Sequence, residues 1–277
     1  MKASDAPVVV VGGGAAGMIA AGRAAELGAP VLLLEKMDRP GKKVLLSGKG
    51  RCNLTNARPL DEFIAMFGEN GRFLYGAFHR YFRDDLLAFL QRYGVTTKTD
   101  RGGRIFPASD DAREVVQALE QYLSSHGAAL HTGTRAVRIA VGQGQVTGVK
   151  TDRGFLPAGA VVLATGGASW PGTGSSGDGY RMAAALGHSI IKLRPALVPL
   201  VVKEGKLAAR MQGVSLRNVR LTAYRCPAAE IEPGWTPATD VGGRGLDRLQ
   251  PRPPVIESRL GEMMFTHFGI GGPITLL

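Results

Sequence analysis

The chain is nearly without cysteine. Cys52 and Cys226 are the two thiols among 277 residues, too few for a disulfide framework. No CxxC pair or Cys/His cluster suggests zinc. No apolar stretch approaches the roughly 18 residues of a membrane helix, and no basic-then-apolar leader opens the sequence. These absences make a cytoplasmic protein outside the membrane the expectation. Acid is also in deficit, with 23 Asp and Glu against 34 Lys and Arg, a formal net charge of +11. Such an excess suits nucleic acid or an anionic ligand. The basic residues are scattered, however, with no run of five and no aromatic interleaving. A solvated surface and a phosphate-bearing cofactor therefore account for much of the charge, and nucleic acid is the minority reading. No internal repeat is present.

What the chain does have is apolar content of 44% with 21% charged residues, the mixture of a globular protein with a sizeable core. The length suits one large or two ordinary domains. Its organising stretch begins with the strand-like Val8-Val9-Val10-Val11 and continues through Gly12-Gly13-Gly14-Ala15-Ala16-Gly17. Gly12 permits the tight turn, Gly14 lets backbone approach a pyrophosphate, and Gly17 lets a helix pack closely on the strand. That helix, Met18 to Leu27, directs its first N–H groups and positive dipole end toward phosphate, and Gly28 stops it. Val31 to Leu34 form a second strand, and Glu35 at its end can accept hydrogen bonds from a ribose diol. The pattern is an α/β dinucleotide site, and an NAD-binding dehydrogenase satisfies it as well as a flavoprotein does.

Further along, Phe78, Phe82, Leu86, Phe89, Leu90 and Tyr93 recur at helical spacing before Gly94, which reads as helix core more than as a pocket lining. Short strands are expected at Val95 to Thr99 and at Arg104 to Phe106. Asp111 with Glu114 suggests a capping box for a helix facing inward through Val115, Val116, Leu119, Tyr122 and Leu123, stopped at Gly127. Ala136 to Val141, a turn at Gly142-Gln143-Gly144, and Val146 to Thr151 read as a meander. Ala160 to Thr165 is a continuous apolar run, expected to be buried on both faces of a parallel sheet, and runs into Gly166-Gly167. The stretch Thr173 to Gly179 precedes a helix at Tyr180 to Leu186, and Asp178 there is either a plain N-cap or a contact to a polar cofactor edge. Leu197 to Val202, Ser215 to Tyr224 and Met263 to Thr266 read as strands, and 226–256 as a Pro- and Gly-rich loop. Cys52 reads as a small buried residue more than as a redox thiol. His267, set in Gly-rich backbone, is the weak candidate for an acid–base group, with a structural histidine as the plainer alternative. No second Gly-rich dinucleotide motif of the same form occurs.

The whole chain resembles a family of bacterial FAD-dependent oxidoreductases described as BaiN-like or aminoacetone-oxidase-like flavoproteins. The likeness rests on Val10 to Gly17, Gly41 to Thr55, Gly103 to Pro107, Ala164 to Asp178 and Phe265 to Pro273. The run Ser47-Gly48-Lys49-Gly50-Arg51-Cys52-Asn53-Leu54-Thr55-Asn56 is close to a family signature. The resemblance implies a Rossmann-like FAD-binding domain of the glutathione-reductase class with a β-meander, and an inserted, mainly β second domain. The first would occupy 1–198 with a helical excursion at about 57–126, and the second 199–277. It implies FAD as cofactor, NAD(P)H as possible electron donor, and a small organic molecule as substrate. Glu35 would hold the adenosine ribose, and Gly12, Gly14, Ala15, Ala16 and Gly17 the pyrophosphate. Lys36, Lys43, Ser47, Gly48, Gly50, Arg51, Cys52 and Asn53 would follow the cofactor toward the flavin. Val137 would meet adenine through its backbone, Thr165, Gly166 and Gly167 would lie near the pyrophosphate, and Asp178 gains weight as a cofactor contact. Family members run well beyond Leu277 with a segment that closes the flavin end of the site. The expectation is therefore a C-terminally truncated chain or an incomplete FAD site, with poor solubility. An RNA-associated flavoprotein and an inactive truncated flavoprotein remnant stand as alternatives. Oligomeric state is left open.

Overall fold

The computed structural model describes residues 6–194, 198–227, 230–231 and 255–272. Contacts divide the chain into two compact units, one running to Ile190 and the other starting at Ile191.

The first unit is built on β1 (Val8–Val11), α1 (Ala15–Glu26) and β2 (Val31–Leu34). The four valines of β1 have the stiff branched side chains that suit a strand, and Val9 and Val10 are completely buried. After β2 come a short helix α2 (Lys42–Leu46) and β3 (Thr55–Asn56). The helical excursion continues as α3 (Leu60–Ala65), α4 (Tyr75–Arg80) and α5 (Arg83–Arg92). It leads to β4 (Thr97–Thr99) and β5 (Arg104–Pro107), which form a small antiparallel sheet with β3 in the order β3–β5–β4. The long helix α6 (Ala112–Ser125) and β6 (Ala129–His131) return the chain to the parallel sheet. The meander is β7 (Ala136–Gly142), β8 (Gln145–Thr151) and β9 (Gly154–Pro157), and β10 (Ala160–Leu163) and α7 (Asp178–Ala185) complete the unit.

The parallel sheet has the order β10–β1–β2–β6. α1 packs between it and α6, and the approach is close: a Cβ on Gly22 would collide with the Tyr122 ring. All five apolar positions expected on α6 are buried. Asp111 is its N-cap, accepting from the Arg113 N–H at 2.8 Å, but the Asp111 N–H donates to Ser109 Oγ rather than to Glu114. The β7–β8 turn has Gln143 and Gly144 at φ 50° and 77°, the left-handed pair that a twisted two-residue hairpin requires.

Two expectations need correction. The aromatic stripe is not one helix: Tyr81 is extended, and Phe82 caps a new helix whose Asp85 accepts the Phe82 N–H at 2.8 Å. Phe78 and Phe82 pack in an aromatic group with Phe63, whereas Phe89 and Tyr93 pack on Tyr122. The apolar run at Ala160 is not buried on both faces either. It forms the edge strand of the described sheet, with Val162 37% exposed, because no described strand pairs beyond it.

The second unit contains β11 (Leu200–Val201), α8 (Gly205–Arg210), β12 (Ser215–Tyr224), β13 (Val255–Thr266) and β14 (Gly269–Gly271). These strands form an antiparallel sheet in the order β11–β14–β13–β12. Leu197 and most of 226–256 lie outside the described residues, but Val255 and Ile256 already belong to β13, so the strand expected at Met263 starts earlier.

Candidate dinucleotide site

A cavity of about 520 Å³ opens at the carboxyl ends of β1, β2 and β10, and every residue that lines it belongs to the first unit. Three glycines explain its shape. Gly12 has φ 110°, and a Cβ there would lie 2.5 Å from the Ala164 carbonyl oxygen. A Cβ on Gly17 would overlap the Gly12 carbonyl oxygen, so this glycine serves helix–strand packing and does not line the cavity. A Cβ on Gly14 would meet nothing within 4 Å, and Gly14 does line the cavity. α1 starts at Ala15 with no side-chain cap, which leaves its first-turn N–H groups for a ligand. Ala15 and Ala16 line the same wall.

Glu35 is 9% exposed and lines the cavity. Its Oε2 accepts the Gly13 N–H and its Oε1 the Met37 N–H, both at 2.8 Å. The carboxylate thus ties the end of β2 to the Gly-rich turn while each oxygen keeps acceptor capacity for a ribose hydroxyl.

The next residue, Lys36, belongs to an ionic cluster that spacing along the chain did not reveal. Lys36 Nζ donates to Asp178 Oδ2 at 2.7 Å and to Ser176 Oγ at 2.6 Å. Arg135 reaches both Asp178 oxygens at 3.1 and 3.3 Å, and Arg181 pairs with Asp178 as well. Burial works to raise the Asp178 carboxyl, but hydrogen bonds from Lys36 and Ser176 and the charges of Lys36 and Arg135 hold it below its ordinary value. Asp178 is the first residue of α7, and the N-cap is Gly177 at φ 76°. The plain N-cap reading is therefore replaced by that of a buried counter-ion. Lys43 adds a second tie, donating to Ser175 Oγ at 2.7 Å and to the Ser169 carbonyl at 2.9 Å. Arg135 and Ser175 both line the cavity and were missed in the sequence; an arginine directly before the meander was the available cue for the first.

The Ser47–Asn53 loop turns sharply, with Gly48, Lys49, Gly50 and Cys52 all left-handed at φ 58°, 61°, 87° and 60°. Ser47, Cys52 and Asn53 line the cavity, whereas Gly48, Gly50 and Arg51 do not. Arg51 instead braces the loop: its guanidinium lies 4.0 Å from the Phe106 ring centre and bonds Asp100 at 2.9 Å and Asp110 at 3.4 Å. Burial pushes the Cys52 thiol up, only partly countered by a hydrogen bond with Ser47, which disfavours a reactive thiolate. Thr165 and Gly166 line the cavity, but Gly167 does not, and Val137 is 53% exposed outside it next to the lining Ala136. Leu54, Leu86, Phe89 and Leu90 form an apolar end, so part of the stripe expected as helix core also faces the cavity. His267 lies in the turn between β13 and β14 of the second unit, exposed, with its ring edge-on to Phe268 at 4.7 Å. Among the described residues no group of three His, Cys, Asp or Glu could hold a metal, and no helix is long and apolar enough to cross a membrane.

An open glycine at a helix start, a buried carboxylate at the neighbouring strand end and a basic rim are the features that fit an extended dinucleotide. The sequence matches the family described as "HI0933-like protein Rossmann domain" over residues 6–269. The 3-dehydro-bile acid delta(4,6)-reductase of Clostridium scindens is 37% identical over 202 residues, covering 72% of this chain and 48% of that protein. A ribosomal RNA dihydrouridine synthase of Escherichia coli is 31% identical over 70% of this chain and 48% of its own length. The enzyme of that name from Haemophilus influenzae is 28% identical over 97% of this chain and 59% of its own length. The open conformation of a flavocytochrome c3 fumarate reductase shares the fold, with a TM-score of 0.52 and 22% identity over 76% of this chain and 47% of that one. The chain spans about half the length of the curated relatives it matches.

Proposed function

Because the chain belongs to the HI0933-like Rossmann family, we propose that it is an FAD-dependent oxidoreductase that adds hydrogen across a C=C bond of an organic substrate. The observation that carries this reading is that Ser47, Cys52 and Asn53 of the signature loop line the same cavity as Gly14 and Glu35. FAD, when bound, supplies hydride transfer, and the protein supplies position, electrostatics and exclusion of water. Gly14, Ala15 and Ala16 present backbone N–H groups to the pyrophosphate, and Glu35 accepts from the adenosine ribose. Lys36, Lys43 and Arg135 offset phosphate charge at the rim. Ser47, Cys52 and Asn53 wall the path toward the apolar end at Leu54 and Phe89, which shields the reacting region from water. NADH or NADPH is the electron donor in this proposal. Residues 1–198 act as the FAD-binding domain and 199–277 as part of a substrate domain, in a cytoplasmic protein.

The relatives' names support the bond change, since a delta(4,6)-reductase and a dihydrouridine synthase both denote hydrogen added to a double bond. They divide on substrate. A small molecule is the first reading, and uridine within RNA is the second. The net charge of +11 and the 97% coverage by the Haemophilus relative favour the second. The test is the visible spectrum of the purified chain after incubation with FAD and removal of excess. Flavin bands that remain with the protein and disappear in Gly14→Val support the reading. A chain that retains NAD but no flavin overturns it in favour of a dehydrogenase.

A further inference from the structure

The helical excursion carries a surface that the cavity does not use. Phe73 is 89% exposed, although burying such a ring is ordinarily favourable. Tyr75 stacks on His79, with ring centres 5.5 Å apart and planes at 27°, and its hydroxyl donates to Asp61 at 2.7 Å, which fixes the ring. Arg72 lies close enough for its charge to act on that hydroxyl. Arg72 and Phe73 lie at the end of a 3-10 turn (Gly68–Leu74) that runs directly into α4, which carries Tyr75, His79 and Arg80, all of them exposed. Gly76, next to Tyr75, is exposed, and a side chain there would meet nothing within 4 Å. Among the described residues neither Arg72 nor Arg80 has a carboxylate partner, whereas nearby Arg58 and Arg83 pair with Glu62 and Asp84. Arg72, Phe73, Tyr75, His79 and Arg80 all lie within positions 72–80, so basic and aromatic residues are interleaved here, contrary to the expectation of scattered charge without aromatics.

We propose that this face docks single-stranded RNA, with bases stacking on Phe73 and on the Tyr75–His79 pair and phosphates held by Arg72 and Arg80. Flat, open aromatic rings accept the face of any unpaired base, and duplex bases are unavailable to them. With Glu62 and Asp84 taken up by Arg58 and Arg83 and Asp61 by the Tyr75 hydroxyl, the guanidiniums of Arg72 and Arg80 are left to meet a polyanion and release its counterions on binding. The proposal rests on the RNA reading of the substrate and assigns a place where the strand is held outside the cavity.

The experiment measures anisotropy of a fluorescein-labelled oligouridylate about 12 nucleotides long, bound to the whole chain across a salt series, with retained FAD read from the same samples. Phe73→Ala is expected to weaken binding about tenfold without touching the core. Arg72→Gln with Arg80→Gln is expected to flatten the log affinity against log salt slope by about 1.4. The control removes the same charge elsewhere, by Arg138→Gln with Lys150→Gln, an exposed cross-strand pair of the meander, and is expected to leave the slope nearly unchanged. Equal loss in the control, or no loss in the face variants, overturns the proposal. So does a dimer that the Phe73 variant dissolves, or capture by anionic vesicles in place of RNA. A chain that keeps FAD with undiminished RNA affinity in the face variants loses only this surface. One that binds RNA through the face but never holds FAD loses the flavin reading and keeps the surface.

Discussion

Gly14 and Gly17 sit within one helical turn of each other, yet they separate ligand binding from packing at the residue scale. Gly14→Ala adds a methyl where nothing stands within 4 Å, so it is expected to leave the melting temperature unchanged and to weaken FAD binding. Gly17→Ala drives a methyl into the Gly12 carbonyl and is expected to destabilise the fold by about 3 kcal/mol. Calorimetry with flavin titration checks both. Glu35→Ala leaves the Gly13 and Met37 N–H groups unpaired, a cost of about 2–4 kcal/mol, and chemical denaturation reads it. Asp178 makes a pH prediction. Its folded carboxyl lies below the ordinary 3.8, so its stabilising contribution is complete above the unfolded value and is lost as pH falls through the lower folded one. Wild type is therefore expected to melt above Asp178→Asn at neutral pH, with the gap closing in strong acid. A gap that widens on acidification would refute the assignment.

At the scale of elements, β1, α1 and β2 were legible because their features are local: a valine run, glycines at fixed offsets and an acid at the strand end. α6 and the meander were legible for the same reason, through periodicities of 3.6 and 2 and a hairpin turn. The break between α4 and α5 was not, because Phe78 to Tyr93 keeps helical spacing across it and Asp85 capping the Phe82 N–H is what restarts the helix. Nor was the position of β10, since an apolar run reads alike at a sheet's centre and its edge. The Asp178 cluster escaped because residues 36, 135, 178 and 181 meet only after folding. The α1–α6 contact gives this scale its test. Gly22→Val would force the Tyr122 ring away and is expected to cost about 2 kcal/mol, lowering the melting temperature by roughly 4–8 °C. Restoration by a second change, Tyr122→Leu, would show that the loss is steric.

For the whole molecule, charge and division into units set the expectations. The net charge of +11 was legible, and so was the neighbourhood of Arg72 and Arg80 with aromatics, but the exposure of Phe73 required the fold. FAD at about a hundred times its dissociation constant stabilises the form that binds it by roughly 2.7 kcal/mol. The first unit is therefore expected to melt about 5–10 °C higher with FAD, and the second at an unchanged temperature. Differential scanning calorimetry resolves the two outcomes. Among the described residues, all that line the cavity precede Ile190, which has a consequence for descent. With FAD held as proposed, a gene segment encoding this unit carries that capacity with it wherever it is spliced. Lineages are then free to exchange or rebuild the domain joined to it, and to redirect one inherited chemistry toward new acceptors.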